Sequence, residues 1–169
     1  TAGFSTISYV DTHPVTNVLY MLQMIIGGAP GGTAGGVKVT AAAITFLLFK
    51  AELTGQTEVT FRNRVIANKV IKQTFTILIF FFTILTVGYM ALLLFEPHHN
   101  PLALLFEAIS AIATVGVSMD LTPQLSTGGR IVIMVLMFVG RVGPITVLLS
   151  LLQRKRKDIH YAQTTINMG

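Results

Sequence analysis

The stretch from Val70 to Phe95 is almost wholly apolar, and its roughly 26 residues, at about 1.5 Å of rise each, exceed a bilayer core of about 30 Å. A run of that length predicts a membrane-spanning helix. A second run, Ile131 to Leu152, is interrupted in charge only by Arg141 and ends in the basic QRKRK; it has about the minimum length of a span. Composition agrees, with 52% hydrophobic residues, 11% charged residues and a mean hydropathy of +0.70, far from a soluble domain. Cysteine is absent, which excludes a disulfide framework and cysteine-ligated metals. Most of the Lys and Arg behind the +5 formal charge fall in two blocks, Lys50, Arg62, Arg64, Lys69 and Lys72, then Arg154 to Lys157. Blocks that flank apolar spans mark the cytoplasmic side of a membrane rather than a nucleic-acid footprint. The loop holding Glu96, His98 and His99 has no Lys or Arg and belongs on the opposite side.

Between the two spans lies NPLALLFEAISAIATVGVS. Asn100 suits an N-cap and Pro101 a first helical position, and the apolar run that follows, about 13 residues, is too short to cross. A short apolar helix between two spans is expected to be re-entrant. Its end, TVGVS, places a glycine where the backbone must turn at membrane depth, which is tolerated where polar groups line water or ions. The helix would aim its negative C-terminal end inward, favouring a cation. Placing Thr1 on Thr114 and continuing without a gap pairs Gly3 with Gly116, Ser5 with Ser118, Met21 with Met134, Met24 with Met137 and Gly27 with Gly140. TAGFS therefore corresponds to TVGVS, and the shared T-x-G-x-S and the glycines carry the weight of this repeat. On this reading the chain begins inside a loop whose preceding span and short helix are missing, as in a fragment.

Residues 27–36 read GGAPGGTAGG. One reading is a helix-packing face of small residues, since glycines recur at four-residue spacing. Pro30 opposes it, because an interior proline removes a helix hydrogen bond and each interior glycine costs roughly 1 kcal/mol. A phosphate loop fails on spacing. The expected structure is an irregular intramembrane loop. Val15 to Ile26 provides roughly 18 Å of helix before it, so the loop starts past mid-membrane, with VKVTAAAITFLLFK as the second half of a broken helix. Arg141 aligns opposite Gly28 in the repeat, and a charge in mid-span costs roughly 2.5–3.5 kcal/mol on insertion scales. There it would repel a passing cation and bond loop carbonyls; the alternative is a structural arginine paired with an acid elsewhere.

TAGFST, GGAPGGTAGGVKVT, FEAISAIATVGVS and STGGRIVIMVLMFVGRVGP together resemble the ion-conducting subunit of the Trk/Ktr/HKT potassium transporters, the KtrB-like bacterial branch most of all. The resemblance implies an all-α membrane protein of repeated helix–pore loop–helix units with a broken transmembrane helix, four units to a full chain around one pore. It divides this chain into a third-unit remnant at 1–52, a cytoplasmic loop at 53–68, a complete fourth unit at 69–152 and a basic cytoplasmic tail at 153–169. It implies filter backbone at Thr1, Ala2, Gly3 and Phe4 and at Thr114, Val115, Gly116 and Val117, whose carbonyls would coordinate potassium. A packing role for those glycines is the alternative. It implies a gate made of Gly27, Gly28, Ala29, Pro30, Gly31, Gly32, Thr33, Ala34, Gly35 and Gly36, with Lys38 and Arg141. It further implies a homodimer, a cytosolic nucleotide-binding regulatory ring through which alone a nucleotide would act, a bacterial plasma-membrane location and no covalent cofactor. Sodium selectivity or coupling stays open, because two filters are missing.

Other residues are ambiguous. Glu107 in FEAIS either hydrogen-bonds behind the filter or is a buried structural acid. Asp11 and Asp120 follow the two T-x-G-x-S segments, where they would concentrate cations at the outer mouth or serve as turn residues. His98 and His99 look like a metal pair only superficially. No nucleophile, base and orienting partner occur together, so an enzyme is not expected. A membrane scaffold that uses its glycines for packing is the rival from another class.

Overall fold

The computed structural model describes residues 2–56, 58–62 and 64–143. Thr1 of the N-terminal candidate filter, the second half of the 131–152 span and the whole basic tail lie outside them. Five α-helices are present: α1 (Pro14–Ile26), α2 (Val39–Leu53), α3 (Asn68–Phe95), α4 (Pro101–Ile112) and α5 (Thr127–Val142).

Helix α3 is 28 residues long, roughly 42 Å at 1.5 Å per residue, and among the described residues it alone is both long and apolar enough to cross a bilayer. Phe75, Ile79, Phe82, Val87, Met90 and Leu94 lie exposed along it. That apolar surface suits lipid or further protein, not water. Thr76, Thr83 and Thr86 return their hydroxyls to carbonyls four residues back, which removes their polar cost in such a setting.

Helix α4 is the centre of the core. Asn100 caps it, accepting from the Leu102 N–H at 2.9 Å, and Pro101 occupies its first turn, as residue type and position predict. Leu104, Phe106 and every residue from Glu107 to Ile112 are buried, against α1, α3 and α5. Tyr9 seals one side, its ring centroid 5.3 Å from those of Phe106 and Tyr20.

Helix α5 starts before the predicted Ile131 because Ser126 caps it, accepting from the Gly129 N–H at 3.2 Å. A Cβ on Gly140 would lie 2.0 Å from the Ile112 carbonyl oxygen, so α5 crosses the end of α4 at backbone distance. Gly140→Ala is therefore expected to cost about 1–3 kcal/mol by overpacking, read as a lowered midpoint of thermal unfolding of the detergent-solubilised full-length protein.

Two further features depart from the sequence reading. The second half of the broken helix runs two to three residues further along the chain than predicted, from Val39 to Leu53. The 53–68 loop holds an antiparallel pair, β1 (Thr60–Phe61) with β2 (Arg64–Val65), Thr60 opposite Val65 and Phe61 opposite Arg64. Threonine, phenylalanine and valine favour extended pairing, Arg62 turns with φ 47°, and the Ile66 N–H bonds the Val59 carbonyl at 2.8 Å.

Candidate functional site

The helix break at residues 27–38 is a pinched loop. The Val37 N–H donates to the Ile25 carbonyl at 3.0 Å and the Val39 N–H to the Gly28 carbonyl at 3.2 Å, so the chain leaves α1 and re-enters α2 at nearly one point. Only glycine fits this neck: a Cβ on Gly27, at φ +70°, would lie 2.4 Å from the Gly35 oxygen, and one on Gly36, at φ +78°, 3.0 Å from the Gly27 Cα. Ala29, Pro30, Gly31, Gly32 and Thr33 form the exposed tip. Lys38, with φ 77°, turns its ammonium back onto the Ala34 carbonyl.

Two groups from elsewhere hold this loop. Arg141, near the end of α5, donates through Nη1 to the Thr33 carbonyl at 2.6 Å, a partner five residues along from the Gly28 opposite which the repeat aligns it. The Gly35 N–H donates to the Ala113 carbonyl at 3.1 Å and to Thr114 Oγ1 at 2.8 Å. No sequence signal points to that second contact.

The TVGVS segment begins where α4 ends. Thr114 and Gly116 both take positive φ, 52° and 92°, while the Val115 N–H reaches back to the Ser110 carbonyl at 3.0 Å and Ser110 Oγ donates to the Val117 carbonyl at 2.6 Å. Among the described residues the carbonyls of Thr114, Val115 and Gly116 receive no hydrogen bond. Behind the segment, Glu107, 4% exposed, accepts from the Ser118 hydroxyl, from the Met119 N–H at 3.0 Å and from the Thr122 hydroxyl at 2.9 Å. The carboxylate thus gathers three donors and fixes the descending limb.

The other T-x-G-x-S segment meets this one. A Cβ on Gly3 would stand 2.4 Å from the Gly116 oxygen, so the two aligned glycines are in contact, with Ala2 and Phe4 beside them and Phe4 almost fully exposed. Beside the TVGVS segment a cavity of about 320 Å³ is lined by Tyr20, Met24, Gly28, Ala34, Thr114 and Val115. The site therefore brings the TVGVS turn and the glycine loop to the wall of one cavity, with the Gly3 turn packed on Gly116. Tyr9 and Tyr20, which also line the cavity, have no distinctive spacing in the sequence.

The remaining candidates separate. Asp11 and Asp120 are exposed, and each follows its T-x-G-x-S segment. His98 is exposed, whereas His99 lies 3.7 Å from the Glu96 carboxylate; among the described residues no group of acids and histidines is arranged to hold a metal. Glu96 had no motif to mark it, yet it is buried, and its Oε1 accepts from the Ser126 N–H at 2.7 Å. Hydrogen bonding from Ser126 holds its carboxyl below the usual carboxylate range, with the Ser126 backbone, His99 and Arg130 adding to the effect against the opposing cost of burial. A lowered folded value contributes stability that is fully present above the unfolded pKa, about 4.3 for glutamate, and is lost as pH falls through the folded value. Thermal midpoints measured downward from pH 5 should thus fall more steeply in the native protein than in Glu96→Gln.

Residues 1–158 match the protein family described as TrkH, cation transport protein. Over its whole length the chain is 32% identical to Ktr system potassium uptake protein B of Bacillus subtilis, covering 38% of that protein. It is 34% identical to potassium/sodium uptake protein NtpJ of Enterococcus hirae, covering 39%, and 31% identical to Ktr system potassium uptake protein B of Vibrio alginolyticus, covering 37%. The chain thus spans less than two fifths of the length of each of these relatives. With nearly all of its residues inside the family match and a helix built to span a bilayer, the chain is part of a membrane protein and belongs to the TrkH family of cation transport proteins.

Proposed function

We propose that this chain is a segment of the pore-forming subunit of a potassium uptake transporter, in which cations move passively past backbone carbonyls and are held back by the glycine loop. Residues 1–52 and 69–152 are then two pore units, the first partial, with 53–68 as their cytoplasmic connection and 153–169 as a cytoplasmic tail. The filter is Ala2, Gly3 and Phe4 with Thr114, Val115, Gly116 and Val117, joined by Thr1; the gate is residues 27–36 with Lys38 and Arg141. One observation carries the reading: the TVGVS turn and the arginine-held glycine loop line one cavity and touch directly through Gly35 and Thr114. Positive φ at Thr114 and Gly116 together with carbonyls free of hydrogen bonds suits ion coordination. The negative end of α4 adds attraction for a cation. No catalytic chemistry is assigned, the transported ion being the only non-protein component the reading requires.

Potassium as the ion follows from the Ktr relatives, whose name, that of a system, also suggests a regulatory partner, here a cytosolic nucleotide-binding ring beneath a homodimer of the full-length subunit. The name of the Enterococcus relative includes sodium, which favours a second reading in which both ions are carried. The test is expression of the full-length protein in cells lacking their own potassium uptake. Growth at limiting potassium with matching potassium accumulation is the expected result. Sodium accumulation without potassium would favour the second reading, and absence of both would leave the scaffold role.

A further inference from the structure

We propose that the gate loop senses the ion at the inner end of the filter, because the two compete for the same oxygens. The Gly35 N–H is bonded at 3.1 Å to the Ala113 carbonyl and at 2.8 Å to Thr114 Oγ1, a link between parts of the chain 79 residues apart. These two oxygens belong to the residue that caps the end of α4 and to the first residue of the TVGVS loop, and Ala113 and Thr114 both line the cavity. The approach there is close: a Cβ on Gly35 would fall 2.7 Å from the Ala113 oxygen and 2.8 Å from Thr114 Oγ1. The loop therefore sits flush against the filter's lower rim, with no spacer between them.

A cation arriving at that rim is drawn by the helix end and takes up oxygen lone pairs as it loses water. Lone-pair density turned towards the ion is withdrawn from the Gly35 N–H, so occupancy weakens one of the two anchors of the loop while Arg141 retains the other. By linkage, a released loop must in turn change the affinity of the rim for the ion by the same factor. Thr114 is a positioning residue for the gate in this scheme, acting through its hydroxyl. The inference rests on the filter and gate reading above, and its test differs from the test of that reading.

Ala29→Cys, at the exposed tip of the loop, supplies a thiol in the full-length transporter freed of other accessible cysteines and reconstituted in vesicles. Its modification rate by a water-soluble maleimide is compared in potassium and in choline of equal ionic strength. The rate is expected to be at least threefold faster in potassium, the difference vanishing in Thr114→Val, which keeps the side-chain shape but not the acceptor, and persisting in Thr114→Ser. A rate that does not respond to potassium, or a response that survives unchanged in Thr114→Val, overturns the proposal. Failure of the gate reading appears elsewhere, as unchanged flux on loss of Arg141, and thermal unfolding of each variant shows whether its fold is intact.

Discussion

Arg141→Ala in the full-length transporter is expected to raise passive cation flux by roughly ten- to a hundredfold, measured as potassium uptake into loaded vesicles. The Arg141 Nη1 bond to the Thr33 carbonyl, at 2.6 Å, is charge-assisted, and such bonds contribute about 1.5–3 kcal/mol net. If that energy holds the loop across the pathway, its loss shifts the balance between closed and open loop by a factor of ten for each 1.4 kcal/mol, roughly. Removing the fixed positive charge lowers the barrier to a cation as well. Arg141→Lys should give a smaller rise, since a lysine keeps the charge but not the planar guanidinium that reaches the carbonyl. Wild-type flux in Arg141→Ala would count directly against a gate at residues 27–36.

Glu107→Ala is expected to abolish selective transport and to lower thermal stability by on the order of 3 kcal/mol. The carboxylate accepts from Ser118, Met119 and Thr122 in an almost fully buried place, and truncation leaves the Ser118 hydroxyl and the Met119 N–H unsatisfied, while the Thr122 hydroxyl keeps Ser118 Oγ at 3.2 Å. Among the described residues, the loop that follows Gly116 would keep only Ser110 as a side-chain tether to α4. Glu107→Gln retains one carbonyl acceptor and so should retain more stability, but its NH2 group faces a donor and should lower the ratio of potassium to sodium flux. Equal ratios in wild type and Glu107→Gln, with folding intact, would show that the carboxylate supports the fold without shaping the pore.

Much of this arrangement was written in local sequence, because membrane helices declare themselves by length and by the residues that stop them. The apolar run into Phe95 gives α3, Asn100 and Pro101 give the start of α4, and the density of glycines around Pro30 gives the break between α1 and α2. Gly3 and Gly116, which the proposed repeat aligns, are in contact. What was not legible depends on distance along the chain. The bond from Gly35 to Thr114 links two ordinary residues of their segments, and nothing about either marks the other. Glu96 was hidden for a similar reason: its partner is the backbone N–H of Ser126, and a backbone group leaves no trace in side-chain patterns. The small hairpin at Thr60 was missed because charges and polar residues around it dilute the two-residue alternation of such short strands.

The burial of α4 has a consequence for how the protein is made. At twelve residues it is roughly 18 Å long, too short for the insertion machinery to release sideways into lipid as a span. Its walls come from α3, made just before it, and α5, made just after it. On the topology proposed above, the short helix then waits at the outer surface until α5 is threaded, and only then sinks between its neighbours. Substitutions along the α4–α5 seam, Gly140 among them, should accordingly delay maturation, leaving α4 open to protease from the outer face of a chain whose spans are already in place.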